Sequence, residues 1–456
     1  MAQGNKGKPE SPFDYILEKA VVSSTAFVNG KTIDIKNVIT DIEIYEHLDK
    51  PYLTGNVVFV DEYSIYNAVD FSGAEKISLQ FTLPGVDMIP VAKDFIIEKT
   101  VKNIRSNDRS ATVLFHIVEE HAFNSSLINV NKSYTGKPVE IIQKIVKDNL
   151  KKNFSGPIKP DNQNPIRVII PNLTPLEAAK WIRDRASSID GVPYFFFSTL
   201  ANQNLHIIGL DEMLTTASDP KPYVYSQIST SFASSTGIND QAYLIQNYVS
   251  KSNDEIISLV KKGLVGARYF FYDPLTGIPI DNTHTDFNLD NMLKDLVNKD
   301  IIGRTQNKIA FSSGYELDGV PFAELKSKVI TNLVTTNTYS GADLGNYSQA
   351  STLADHRLKI VSEALRSILT RNAIEVALPG RNFLFGQYSN TIGNQISLRF
   401  LDTATTKATP SNEEFDRKKS GDYLMYAVKH QFKKERYDVI ASCVKLADIP
   451  GETEVS

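Results

Sequence analysis

ISLQF at residues 77–81 returns as ISLRF at residues 396–400, and the segments around the two phrases follow in the same order. Gly73 shortly precedes the first phrase and Gly393 the second. Beyond a loop, each copy reaches an aspartate that opens a long strand-like run, DFIIEKTVKNI from Asp94 and DYLMYAVKHQF from Asp422. A charged turn and a further alternating run come next, ATVLFHIV in the first copy and DVIASCVKL in the second. Period-2 patterning restricts the alphabet, so any two alternating strands look somewhat alike. Against this, Gly, strand, loop, Asp, strand, turn and strand must all match in order, which favours duplication. Two β-barrels of common design are the expectation.

Upstream of the first phrase, AVVSSTAFV and KTIDIKNVITDIEIYEHL flank Asn29-Gly30, a strong signal for a type I′ hairpin. GNVVFV and KISLQFTL, the latter ending at Pro84-Gly85, continue the strand-rich pattern. The spacing is that of a closed or nearly closed antiparallel barrel, so residues 1–120 are read as the first β-barrel.

Past this point the period changes. KPVEIIQKIVKDNL places Val139, Ile142, Ile145 and Leu150 along one helical stripe. In TPLEAAKWIRDRAS, Thr174 is the expected N-cap, Pro175 takes the first helical position and Glu177 completes a capping box. RVIIP lies before this helix, and VPYFFFST and NLHIIGL lie after it, so residues 121–214 are read as a small α/β domain. Residues 215–370 mix strand-like YLIQNYV and ARYFFYD with Asn- and Ser-rich connections. They are expected to hold the start of the second barrel and an insertion, ending in an amphipathic helix carrying Leu358, Val361, Leu365 and Ile368. Residues 371–456 are the C-terminal part of the second barrel. The predicted class is α+β and β-rich, with two related antiparallel barrels, a small α/β domain and an inserted mixed region.

Composition narrows the function. At 456 residues the chain exceeds what one hydrophobic core usually serves, and 41% hydrophobic with 22% charged residues is the mixture of a globular chain. A net charge of −4 supplies no excess cation for phosphates, which argues against a dedicated nucleic-acid or anionic-membrane binder. Cys443 is the single cysteine, so neither an intrachain disulfide nor a thiolate metal cluster is expected. The polar N-terminal stretch and the lack of a run of roughly 20 apolar residues predict neither Sec export nor membrane insertion.

Most motifs that could carry chemistry fail on spacing or setting. His116 and His121 bracket two glutamates, but five residues separate them. On a strand that spacing points the rings to opposite faces, and on a helix it turns them by about 140°, so no zinc site is expected. His47, His206, His284, His356 and His430 lack ligand spacing and are read as surface or rim residues. No nucleophile elbow, phosphate-binding loop or dinucleotide fingerprint is found in its strand-to-helix setting. Cys443 sits inside an alternating strand and is read as a packed small residue. The 53 acidic residues leave glycoside hydrolysis open at this point, because carboxylate separation cannot be read from sequence. No catalytic, metal-binding or cofactor-binding residue is assigned, and no enzymatic activity is predicted.

The chain resembles the baseplate hub proteins of contractile-tailed phages, whose fold also underlies type VI secretion spikes. SLINVNKSYTGKPVEIIQKIV is similar to the family's entry into its α/β domain, as is IPNLTPLEAAKWIRDRAS followed by PYFFFST. IEVALPGRNFLFGQ, ISLRF, SGDYLMYAVKHQF and VIASCVKLAD are similar to its second barrel. The resemblance implies tail-tube-like barrels and a homotrimer whose pseudo-sixfold ring joins the hexameric tail tube to the central spike, with contacts to other baseplate proteins. It further implies a place in the virion tail baseplate after synthesis and assembly in the host cytoplasm. DNA would cross the lumen or stop at the spike without sequence-specific readout. Two other readings stand beside it. One is a hub or spike component of a bacterial contractile injection or secretion system. The other is a tail-associated glycan-binding or glycan-hydrolysing protein using Trp181 or the Tyr194–Phe197 cluster, against which Trp181's place by an apolar stripe and the strand-like Phe run both weigh.

Overall fold

A computed structural model describes residues 9–24, 32–62, 65–68, 71, 73–105, 110–155, 166–184, 186–215, 221–225, 237–252, 256–273, 278–279, 285–299, 301, 316–324, 328–333, 349–369, 372–384, 391–401, 415–416, 418–434 and 436–448. Alternating apolar residues set the first seven strands: β1 (Ile16–Ser23), β2 (Thr32–Asp34), β3 (Ile39–His47), β4 (Thr54–Asp61), β5 (Lys76–Thr82), β6 (Val91–Arg105) and β7 (Ala111–Glu119). Ile42 and Ile44 of β3, Val57 and Phe59 of β4, and Val113, Phe115 and Ile117 of β7 point into one core. The strands run β3-β4-β7-β6-β5-β1-β2, every neighbouring pair antiparallel. Gly55 lets β3 and β4 pass closely, since a Cβ there would strike the Glu43 carbonyl. The Asn29-Gly30 turn lies outside the described residues.

The small α/β unit has its own core. β8 (Ser133–Gly136) pairs with β9 (Ile166–Ile169), and β10 (Tyr194–Phe197) with β11 (His206–Gly209). Helices Pro138–Leu150 and Pro175–Arg183 bury Val139, Ile142, Ile145, Ala179 and Ile182 between these sheets. The predicted cap is formed: Thr174 Oγ1 accepts from the Glu177 amide, and the Glu177 carboxylate accepts from the Thr174 amide at 3.1 Å. Such caps are worth about 1 kcal/mol and fix where the helix starts.

The next strands are β12 (Tyr223–Tyr225) and β13 (Asn247–Ser252), which join the large sheet. A separate sheet comes after them, in which β14 (Gly266–Asp273) pairs with β15 (Ile278–Pro279), β16 (Thr285–Asn288) and, in parallel, a later strand, Val329–Leu333. Helix Gln349–Leu369 buries Ile360, Ala364, Leu365 and Ile368 against the main core. The buried stripe is turned slightly from the predicted one, leaving Leu358 and Val361 half-buried. Counting the hairpin β17 (Glu316–Leu317) and β18 (Val320–Pro321), Val329–Leu333 is β19.

Four long strands complete the large sheet: β20 (Asn372–Pro379), β21 (Gln395–Phe400), β22 (Gly421–Lys433) and β23 (Arg436–Asp448). The order β13-β20-β23-β22-β21-β12 repeats β3-β4-β7-β6-β5-β1 strand for strand. One pair departs from the antiparallel expectation: β12 runs parallel to β21, whereas β1 runs antiparallel to β5. β1 turns back through β2 towards β3. β12 instead follows the α/β unit, which delivers the chain to the edge of β21 in the opposite direction. β3 and β22 pair antiparallel, from Asp41 with Lys433 to His47 with Ala427, joining both halves in one sheet of 13 strands among the described residues.

Candidate assembly interface

The repeat extends to individual hydrogen bonds. Ser78 Oγ donates to Asp94 Oδ1 at 2.6 Å across β5 and β6, and Ser397 Oγ donates to Asp422 Oδ1 across β21 and β22. The Ile97 amide donates to the Glu75 carbonyl at 2.8 Å, and the Met425 amide to the Asn394 carbonyl at 3.1 Å. The register slips between Ile97 and Lys99 in β6 and between Met425 and Ala427 in β22, the same place in both copies. Bulges bend a strand and re-aim the residues beyond them. Here the bend carries the second half of each long strand beyond its short partner, since β5 pairs only with residues 76–81 against 91–96 and β21 only with 395–398 against 421–424.

In β22 the freed segment is taken up by β3. Phe432 stacks on Phe81 at 4.1 Å and on Tyr437 at 4.2 Å, and Lys429 Nζ lies 2.5 Å from Glu43 Oε1. In β6 the corresponding segment, Lys99 to Arg105, pairs with β7 on one side and with no other strand among the described residues. Ile104 on that segment is 48% exposed. β13, the counterpart of β3, has β20 on one side and likewise no second strand among the described residues; its Val249 is 51% exposed.

Behind the seam lie buried polar centres. Lys93 Nζ donates to Glu119 Oε1 at 3.1 Å and to the Asn202 carbonyl at 2.7 Å. Glu119 Oε2 accepts from the Leu53 amide and Ser198 Oγ, so the first sheet half is tied to the α/β unit. Burial alone would raise the Glu119 pKa, but the neighbouring His121, Lys93 and the Leu53 amide hold it well below the usual carboxylate range. The second centre spans three bodies. His430 of β22 lies 3.1 Å from Glu46 of β3 and shares a 2.8 Å hydrogen bond with the Tyr437 hydroxyl, while Glu46 accepts from the Leu200 amide. A third group outside both is Asp49, whose Oδ1 receives Arg183 at 2.8 Å and lies 3.4 Å from Arg366 of helix Gln349–Leu369. Burial lowers the Arg366 guanidinium to about 10, and its stacking over Phe195 keeps it in place.

These contacts give the histidines structural positions. His116 faces Asn56 at 3.0 Å and Glu98, whereas His121 engages the Pro51 carbonyl at 2.7 Å, so the two rings serve different neighbours. His47 packs edge-on to Tyr426, and His206 stacks on Phe197. His430 departs from the surface-or-rim expectation: it is fully buried because β3 covers β22 at that point. His284 and the side chain of His356 lie outside the described residues. Cys443 is fully buried, and burial pushes its thiol far above the ordinary range. Trp181 packs partly buried against the α/β core, and Tyr194–Phe197 is buried throughout. Sequence reading missed Glu46, Lys93, Glu119 and Asp49. For Glu46, Lys93 and Glu119 the sole signal is an acid or lysine at an inward position of an alternating strand; Asp49 lies in the turn beyond β3 and carries no such signal.

The whole architecture, not only its parts, has a counterpart among solved structures. The 43 kDa tail protein of prophage MuSo2 from Shewanella oneidensis aligns with a TM-score of 0.51 at 11% identity, over 94% of this chain and 98% of that one. This chain has the fold of a phage tail protein. The tail protein from Neisseria meningitidis MC58 aligns at a TM-score of 0.47 and 11% identity, covering 95% of this chain and 97% of that one. A chain of the Francisella PdpA-VgrG complex aligns at 0.44 and 10%, covering 97% of this chain and 55% of that one. No family model and no curated protein sequence matches this chain. The phage-tail resemblance therefore holds at the level of the fold.

Proposed function

We propose that this tail-fold chain is a structural hub subunit of a contractile phage baseplate, three copies of which form a ring between the tail tube and the central spike. The observation that carries the reading is the duplicated strand order, repeated down to the Ser–Asp pair and the bulge. Each half is read as one tube-like barrel. Three chains with two similar halves present six similar surfaces, so a threefold ring can meet a sixfold tube through near-equivalent contacts. The buried acids and histidines support a structural rather than a catalytic role. A general acid or base must reach its substrate, and these side chains bind sheet halves and the α/β unit to one another behind the surface.

The test is the mass of the purified full chain by light scattering. The proposal predicts three times the chain mass of 50.8 kDa, with no soluble fragments released from purified peptidoglycan by the same preparation. A monomeric mass across the micromolar range, or turnover of peptidoglycan, contradicts it.

A further inference from the structure

The seam between β3 and β22 has a counterpart whose two sides lie on different parts of the chain and do not meet within it. One side is the outer half of β6, the equivalent of the part of β22 that β3 covers. The other is β13, the equivalent of β3. Both are sheet edges among the described residues, and an exposed edge is a template for another strand.

The repeat sets the register. Val249 faces Glu375 on β20 as Glu43 faces Asn56 on β4, so Val249 stands where Glu43 stands. Beyond the slip shared with β22, β6 has a further one between Thr100 and Lys102. Counting beyond it through the neighbouring strand, Ile104 faces Thr112 on β7 as Gln431 faces Asp438 on β23, so Ile104 stands where Gln431 stands. In the seam within the chain Gln431 is paired with Glu43, and Gln431 Nε2 donates to Glu43 Oε1 at 3.3 Å. The corresponding residues at the open edges are both apolar and about half exposed.

Resting on the ring reading, we infer that residues 100–105 of β6 in one copy pair antiparallel with β13 of the next copy, Ile104 lying opposite Val249. The same register sets Lys102 opposite Lys251, and Lys251 is already held by Glu375. Because the two edges differ, the contact is head-to-tail, and it closes a ring when its rotation divides the circle. Burying Ile104 and Val249 against each other removes apolar surface from water at both edges.

Ile104→Cys with Val249→Cys, in full-length protein carrying Cys443→Ser, tests the register. Both sites are exposed, which spares the core. Mild oxidation should convert most of the protein into a covalent trimer on a non-reducing gel. A mixture of the two single variants should give covalent dimers. Ile104→Cys with Lys251→Cys, two residues out of register on the same face, should stay at least tenfold less cross-linked. A particle that is trimeric by light scattering but yields only monomer bands overturns this seam and leaves the ring. A monomer by light scattering overturns both.

Discussion

His206 shows what one buried side chain contributes in this fold. Its ring stacks on Phe197 with centroids 5.0 Å apart, and burial pulls its pKa from 6.5 down to about 4. In the folded chain it stays neutral until the pH nears that lower value, whereas in the unfolded chain it takes up a proton near 6.5. Between those limits the unfolded state binds more protons, so stability is full above pH 6.5 and declines towards pH 4. The loss is at most about 3 kcal/mol. Urea denaturation at pH 7 and pH 4.5 is expected to show a smaller fall for His206→Gln than for the unaltered chain; equal falls would refute the assignment. The sequence displays such residues unevenly. Thr174 and Glu177 announce a helix start because the cap is local, whereas His430 and Glu46 meet only after β3 and β22 pair, and nothing near either residue encodes that meeting.

At the scale of elements, the repeat predicts equal responses to equal lesions. Ser78 and Ser397 hold Asp94 and Asp422, which lie near the start of the two long strands. Ser78→Ala and Ser397→Ala should each lower stability by about 1 kcal/mol, the net worth of one such hydrogen bond. Thermal denaturation compares them, and a loss confined to one variant would contradict equivalent roles. These strands are readable in the sequence because their phrases still match. β3 and β13 are not, since Ile44 corresponds to Ser250 and Glu43 to Val249, and only their pairing with β4 and β20 reveals the relation. The parallel entry of β12 beside β21 is also hidden, because direction depends on where the preceding unit delivers the chain. Helices are legible where a capping box marks them, and the predicted stripe of Gln349–Leu369 lies within a fraction of a turn of the buried one.

For the whole molecule, the proposed role rests on duplication: a repeated unit within one chain would let a threefold ring meet a sixfold tube. In the proposed ring, the strand pairing of β3 with β22 supplies the contact between the two halves of one chain, and the contact proposed between β6 and β13 joins one chain to the next. Asp49 and the two buried polar centres tie the α/β unit and helix Gln349–Leu369 to this frame. The most direct measurement is an electron cryomicroscopy reconstruction of the assembled protein. The account predicts that the sheet half of β3 to β7 and that of β13 and β20 to β23 superpose by a rotation of about 60° around a threefold axis. Halves related by any other operation, or an assembly without a threefold axis, would contradict it.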